Sequence, residues 1–131
     1  MPGWGTGSFE NEDAQSFLRV LQSKVPEDIQ QILVRIADHP DYLDASESSI
    51  AVAAAEVVAT AKGNPPETTP PEIGEWVGKV EGAPGAEMSE VALRAVSRVR
   101  TDSELKDLWL EAEGLNEWSA VLRDLEKRLA G

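Results

Sequence analysis

Apolar residues recur every three or four positions along most of the chain, and no run alternates with period two. Ala14, Phe17, Leu18 and Leu21 fall at i, i+3, i+4 and i+7, one stripe of a helix ending near Ser23. Ile29, Ile32, Leu33 and Ile36 repeat that spacing. They predict a second helix from Pro26, a good first helical residue with Glu27 and Asp28 behind it, to about Asp38. The two read as a helical hairpin. A third helix is expected from Ala45 or Ser46 to Lys62, with Gly63 just beyond it as a stop. Small apolar residues cover most of its circumference, which suits a central helix because small side chains let neighbours approach closely. Glu56 stands inside that run.

The second half is punctuated differently. Asn64 to Pro71 holds four prolines in eight residues and predicts an extended surface connection. Pro71 opens a short helix through Ile73, Trp76, Val77 and Val80, in which Gly74 and Gly78 each cost about 1 kcal/mol relative to alanine. A fifth helix is expected from about Met88 to Arg100, with Ala92, Ala95, Val96 and Val99 inward and Glu90, Arg94 and Arg98 outward. Thr101-Asp102-Ser103-Glu104 is a capping sequence for a sixth helix that Gly114 stops. Asn116 is expected to cap a last helix along Trp118, Val121, Leu122, Leu125 and Leu129. The expectation is all-α: one domain over residues 1–131, of six or seven helices. The connection at 64–71 divides an N-terminal three-helix part from a C-terminal helical part.

The stretch that departs furthest from plain helix is Trp4 to Ala14. Gly5 and Gly7 suit a tight turn or a close backbone approach. Trp4 and Phe9 flank the turn, and each offers roughly 150–250 Å² for burial. Asn11 reads as a helix N-cap, with Glu12 and Asp13 in the first turn where carboxylates favour the helix dipole. The stretch reads as an N-terminal Gly/aromatic clasp feeding a capped helix.

Charge narrows the function classes. The chain has 131 residues and a formal net charge of −12. Residues 1–87 carry 15 acids and 5 bases, residues 88–131 carry 9 and 7. That balance disfavours nucleic acid, which needs a basic footprint; it suits solubility and exposed helix faces, and it also fits attraction to a basic protein. There is no cysteine, which removes thiol nucleophiles and thiolate metal sites. No signal peptide is visible, and the apolar run from Ile50 to Ala61 is too short to span a bilayer. A soluble, cytoplasmic protein with no membrane partner is expected; the oligomeric state is left open.

Candidate chemistry is sparse. Glu10, Asn11, Glu12 and Asp13 offer oxygen ligands, but their spacing does not fit an EF-hand loop, and helix-start electrostatics accounts for them. Gly5-x-Gly7 lacks the preceding strand, the third glycine and the lysine of a phosphate cradle. His39, the one histidine, lies with Asp41 in a Pro-Asp turn, and the serines lack a nucleophile elbow. Glu56 is different, because a carboxylate on a central helix must be paired. The Trp4 indole N–H or the backbone N–H groups of Gly5 to Gly7 are candidate partners. No catalytic, cofactor-binding or metal-binding residue is assigned. The set Trp4, Gly5, Gly7, Phe9, Asn11, Asp13 and Glu56 is carried forward as a binding or structural clasp.

The motif Trp4-Gly5-Thr6-Gly7…Phe9-Glu10-Asn11…Ala14…Phe17 resembles the start of the bacterial family catalogued as domain of unknown function 4259. Further matches follow in order: Ala54-Ala55-Glu56-Val57-Val58-Ala59, Pro71-Glu72…Trp76-Val77, Ser103-Glu104-Leu105…Leu108-Trp109, and Trp118. Glu12 stands where the family usually has aspartate, which would alter the geometry of any cation held there. The resemblance implies a small helical bacterial protein and no activity. The leading expectation is therefore a non-enzymatic acidic module that binds a basic protein, an immunity or antitoxin role being one version. The alternative is a small-molecule-binding or enzymatic domain with a pocket beside Trp4 and Glu56, lined also by Phe9 and Asp13.

Overall fold

The computed structural model describes residues 2–131. Among them are seven α-helices and no strand: α1 (Glu12–Val20), α2 (Pro26–Ala37), α3 (Ala45–Ala61), α4 (Pro71–Lys79), α5 (Ala86–Thr101), α6 (Glu104–Glu111) and α7 (Leu115–Ala130). A single 3₁₀ turn, Leu21–Ser23, continues α1. The chain is an all-α bundle.

Helix α3 is its axis, and every other helix packs against it. It is buried from Ala51 to Ala59 without a break, so its sides are apolar all round rather than on one stripe. Alanines on α3 let α5 and α7 come close, while larger residues of the outer helices fill the layer around it: Leu18, Ile29, Leu33, Ile73, Val96, Leu122 and Leu125. The N-termini of α3 and α6 are tied reciprocally, with Ala45 N donating to Glu104 Oε1 (2.7 Å) and Glu104 N donating to the Leu43 carbonyl (2.9 Å).

Several boundaries follow the expected chemistry. Asn11 Oδ1 caps α1 by accepting from Ala14 N at 2.8 Å. Pro26 and Pro71 open their helices, and Gly63 adopts φ +93° after α3. Ser103 caps α6 by accepting from Lys106 N.

Four expectations are corrected. Asn116 does not cap α7; Gly114 holds the N-cap position and Asn116 is the second helical residue. At the end of α6 it is Glu113, not Gly114, that takes the left-handed conformation, with φ 61°. Gly114 is needed for a different reason, since a Cβ there would lie 2.7 Å from the Trp109 ring. Helix α5 begins two residues early, at Ala86, directly after the Gly85 N-cap. Finally, α1 and α2 do not form a hairpin packed on itself. Each packs on α3, and they are splayed from one another.

Candidate functional site

The N-terminal segment folds around the side chain of Glu10. Gly7 N donates to Glu10 Oε1 at 2.9 Å, Glu10 N donates to the Gly7 carbonyl at 3.1 Å, and Trp4 N donates to the Glu10 carbonyl at 3.0 Å. This explains the two glycines. Neither has positive φ; a Cβ on Gly5 would fall 2.3 Å from Glu10 Oε2, and one on Gly7 2.5 Å from Oε1. They allow a close approach to a carboxylate rather than a left-handed turn.

The aromatics do not fasten this segment as expected. Trp4 is 62% exposed and anchors nothing, while Phe9 is half-buried against the core. The buried residue is Ser8, whose Oγ donates to Glu56 Oε2 at 2.7 Å. Trp4 is exposed because the turn around Glu10 directs Ser8, not the flanking tryptophan, toward α3.

Glu56 is 2% exposed, and both of its carboxylate oxygens are bonded. Arg128, on the last turn of α7, grips it with both terminal nitrogens: Nη1 to Oε1 at 2.7 Å and Nη2 to Oε2 at 3.1 Å. Such a forked pair is among the stronger hydrogen-bonded contacts a carboxylate can make. Arg128 Nε binds Asp124 at 2.8 Å, and Nη1 also reaches the Asn64 carbonyl at 3.4 Å. Burial works against the Arg128 charge, but the bonds and charge of Glu56, with Asp124 behind them, hold its pKa above the ordinary arginine value. The partners foreseen for Glu56 were the Trp4 indole and the backbone N–H groups of Gly5 to Gly7; those found are Ser8 and Arg128. Among the described residues no buried side-chain polar atom is left without a partner.

The residues singled out in the sequence are therefore not brought together in one pocket. Glu56, Gly7 and Phe9 line an open groove of about 740 Å³ between the N-terminal segment, α7 and the proline-rich connection, with Arg128 on its floor. Directly beneath Gly5 and Gly7, against Trp109 and Trp118, about 10 Å³ remains, room for one water at most. Asn11 borders that space as well as capping α1. Asp13 lies elsewhere, on the rim of an apolar groove of about 460 Å³ opened by the splay of α1 and α2. Trp4 lines none of these three.

The other candidates have structural partners. His39 Nδ1 stands 3.0 Å from the Asp41 carbonyl oxygen and accepts from Asp41 N at 3.2 Å, and Arg98 holds the carbonyls of both His39 and Asp41 at 2.7 Å. Trp76, Trp109 and Trp118 are buried, and the Trp76 indole donates to the Lys24 carbonyl. No group of three or more acids or histidines that could hold a metal occurs among the described residues. Among the described residues no helix is long and apolar enough to cross a membrane.

A further concavity is not foreseen from the sequence. A groove of about 310 Å³ runs between α2, α3, α4 and the loop that follows α4. Ile29, Val57, Val58 and Trp76 supply apolar walls, and its only charged lining residues are Glu81 and Glu87, both exposed. The acid surplus of residues 64–90, six glutamates against Lys79, is legible in the sequence, but only Glu81 and Glu87 of them line the groove.

Fold and site together define a small helical bundle in which the buried Glu56–Arg128 pair is internally satisfied and the grooves lie open at the surface. The chain belongs to the family described as Domain of unknown function (DUF4259), whose model matches residues 3–121. The match takes in the Glu10-centred turn, Ser8 and Glu56, and stops short of Arg128. No curated protein and no solved structure gives a match.

Proposed function

We propose that the protein is a non-enzymatic, acidic helical module of the bacterial cytoplasm that binds a basic protein, and that the groove beside α4 receives it. The carrying observation is the composition of that groove: an apolar floor with carboxylates and no base in its lining. A peptide segment with apolar residues on one face and Lys or Arg on its flanks complements it in both respects. A cationic toxin held by an immunity or antitoxin protein is one concrete partner of this class. The net charge of −12 would speed the encounter at low ionic strength.

A second reading places a small molecule in the groove over Glu56 and Arg128. Its volume, about 740 Å³, is of the order of small-molecule sites, roughly 300–1,000 Å³. It is the weaker reading, because both charged groups on its floor already bind each other.

The test is a titration with a synthetic Lys/Leu amphipathic peptide, followed through the indole N–H resonance of Trp76 at low and high salt. Binding that moves Trp76, weakens steeply with salt, and falls about tenfold or more in Glu81→Lys/Glu87→Lys is expected. Binding that ignores both salt and the charge reversal would overturn the proposal.

A further inference from the structure

One cleft inverts the sign of the rest of the surface. Between the C-terminal end of α5, α6 and the start of α7 lies a concavity of about 470 Å³ lined by Arg100, Thr101, Lys106, Leu115, Asn116, Ser119 and Arg123. It holds three cations and no acid, in a chain with twice as many acids as bases. Asn116, Ser119 and Arg123 fall at i, i+3 and i+7, so α7 turns one polar stripe toward the cleft while its apolar stripe faces the core.

The bonding state of these groups separates what the fold uses from what it does not. Arg100 is held by Glu126 with two of its nitrogens, and Lys106 Nζ donates to the Thr101 carbonyl at 3.3 Å, closing the end of α5. The Thr101 hydroxyl donates to the Ser97 carbonyl. By contrast, Arg123 and Asn116 are exposed and Ser119 is half-buried, and the fold ties none of the three side chains to another described residue. Two cations are fixed in place by the structure, and beside them stands a set of unused donors on a rigid helix.

We infer that this cleft binds a small oxyanion of phosphate type, carried as a phosphate or pyrophosphate group on a small molecule. Arg123 supplies the planar fork that suits phosphate oxygens, Lys106 a point charge, and Asn116 and Ser119 orienting donors. Arg100 contributes little net charge and no free donor, since Glu126 pairs with it. The cleft is larger than one phosphate needs and within the range of small-molecule sites, with Leu115 as the apolar wall. The strongly negative surface elsewhere excludes polyanions such as nucleic acid, so the ligand is small. This site shares no lining residue with the groove beside α4, and the two proposals stand or fall separately.

Titration of the whole protein with inorganic phosphate and with pyrophosphate, at low salt and followed by amide and arginine side-chain resonances, tests it. The expected result is saturable binding, tighter for pyrophosphate, that moves Asn116, Ser119 and the Arg123 side chain. Arg123→Ala should weaken it about tenfold, whereas Lys127→Ala, outside the cleft, should leave it within about twofold. Arg123 has no partner in the fold, so an unchanged unfolding curve for Arg123→Ala shows that the loss is not misfolding. No saturable binding by about 10 mM pyrophosphate, or equal weakening by both variants, overturns the inference.

Discussion

Glu56 and the pair Glu81 and Glu87 are the same kind of side chain in opposite situations. Glu56 is enclosed by α3, α7 and the N-terminal segment, and its oxygens are filled by Arg128 and Ser8. Glu81 and Glu87 stand exposed on the rim of an apolar groove with no base in its lining. The first carboxylate is explained by the fold alone. The other two are met by solvent, and the groove they flank is where the proposed partner would bind. An ion pair taken out of water is costly unless its polar atoms find partners, and both Glu56 oxygens do. The N-terminal segment is thus a latch fastened to a buried ion pair, whereas the rim acids stand in solvent.

The largest effect should come from breaking the interior acid. Glu56→Gln leaves the Arg128 charge facing a neutral amide. Loss of one partner of a buried pair costs about 3–5 kcal/mol; here about 3 is expected, because Arg128 keeps Asp124 and some solvent. Urea unfolding at neutral pH measures it, and an unchanged midpoint would contradict the pairing. Gly114→Ala comes next, at about 1–3 kcal/mol, because its Cβ must displace the buried Trp109 ring. Ser8→Ala should cost about 1.5 kcal/mol through one hydrogen bond to a charged group. It should also speed hydrogen exchange at the Trp4, Gly7 and Glu10 amides, which are bonded only within the latch.

Tyr42 and Asp107 show a third use of an acid: a surface carboxylate that binds within the chain. The hydrogen bond from Tyr42 to Asp107, with slight burial and the charges of Asp107, Glu104 and Asp102 behind it, pushes the phenol up to about 12. Tyr42 is the only tyrosine, so ultraviolet titration reads it directly. A group whose folded pKa is raised contributes stability below its ordinary value of 10.0 and loses it as pH climbs toward 12. Asp107→Asn should lower the midpoint toward 10; no change would remove Asp107 as the cause. The smallest effects belong to exposed positions. Trp4→Ala should shift stability by no more than about 0.5 kcal/mol.

The helices were legible because their signals are local. Periodic apolar residues, Pro26 and Pro71 at helix starts, Asn11 as a cap and Gly63 as a stop each act within one turn. What was not legible depends on distance in the chain. Arg128 lies 72 residues from Glu56, on a helix whose apolar stripe says nothing about which polar neighbour turns inward. The need for a partner could be read from a carboxylate among alanines, but the partner could not. Trp4 was misjudged because a large aromatic at a terminus suggests burial, whereas the turn around Glu10 places Ser8 inward instead. The splay of α1 and α2 was hidden for a related reason: both stripes are satisfied by α3, so neither helix needs the other.

The measurement that bears most directly on the contrast between interior and rim acids is one binding comparison. Wild type, Glu56→Gln and Glu81→Lys/Glu87→Lys are titrated with the same basic amphipathic peptide at low salt, under conditions where all three are folded. Wild type and Glu56→Gln should bind alike, and the rim reversal should bind at least about tenfold more weakly with its stability within about 0.5 kcal/mol of wild type. Loss of binding in Glu56→Gln with binding retained in the rim reversal would contradict the account.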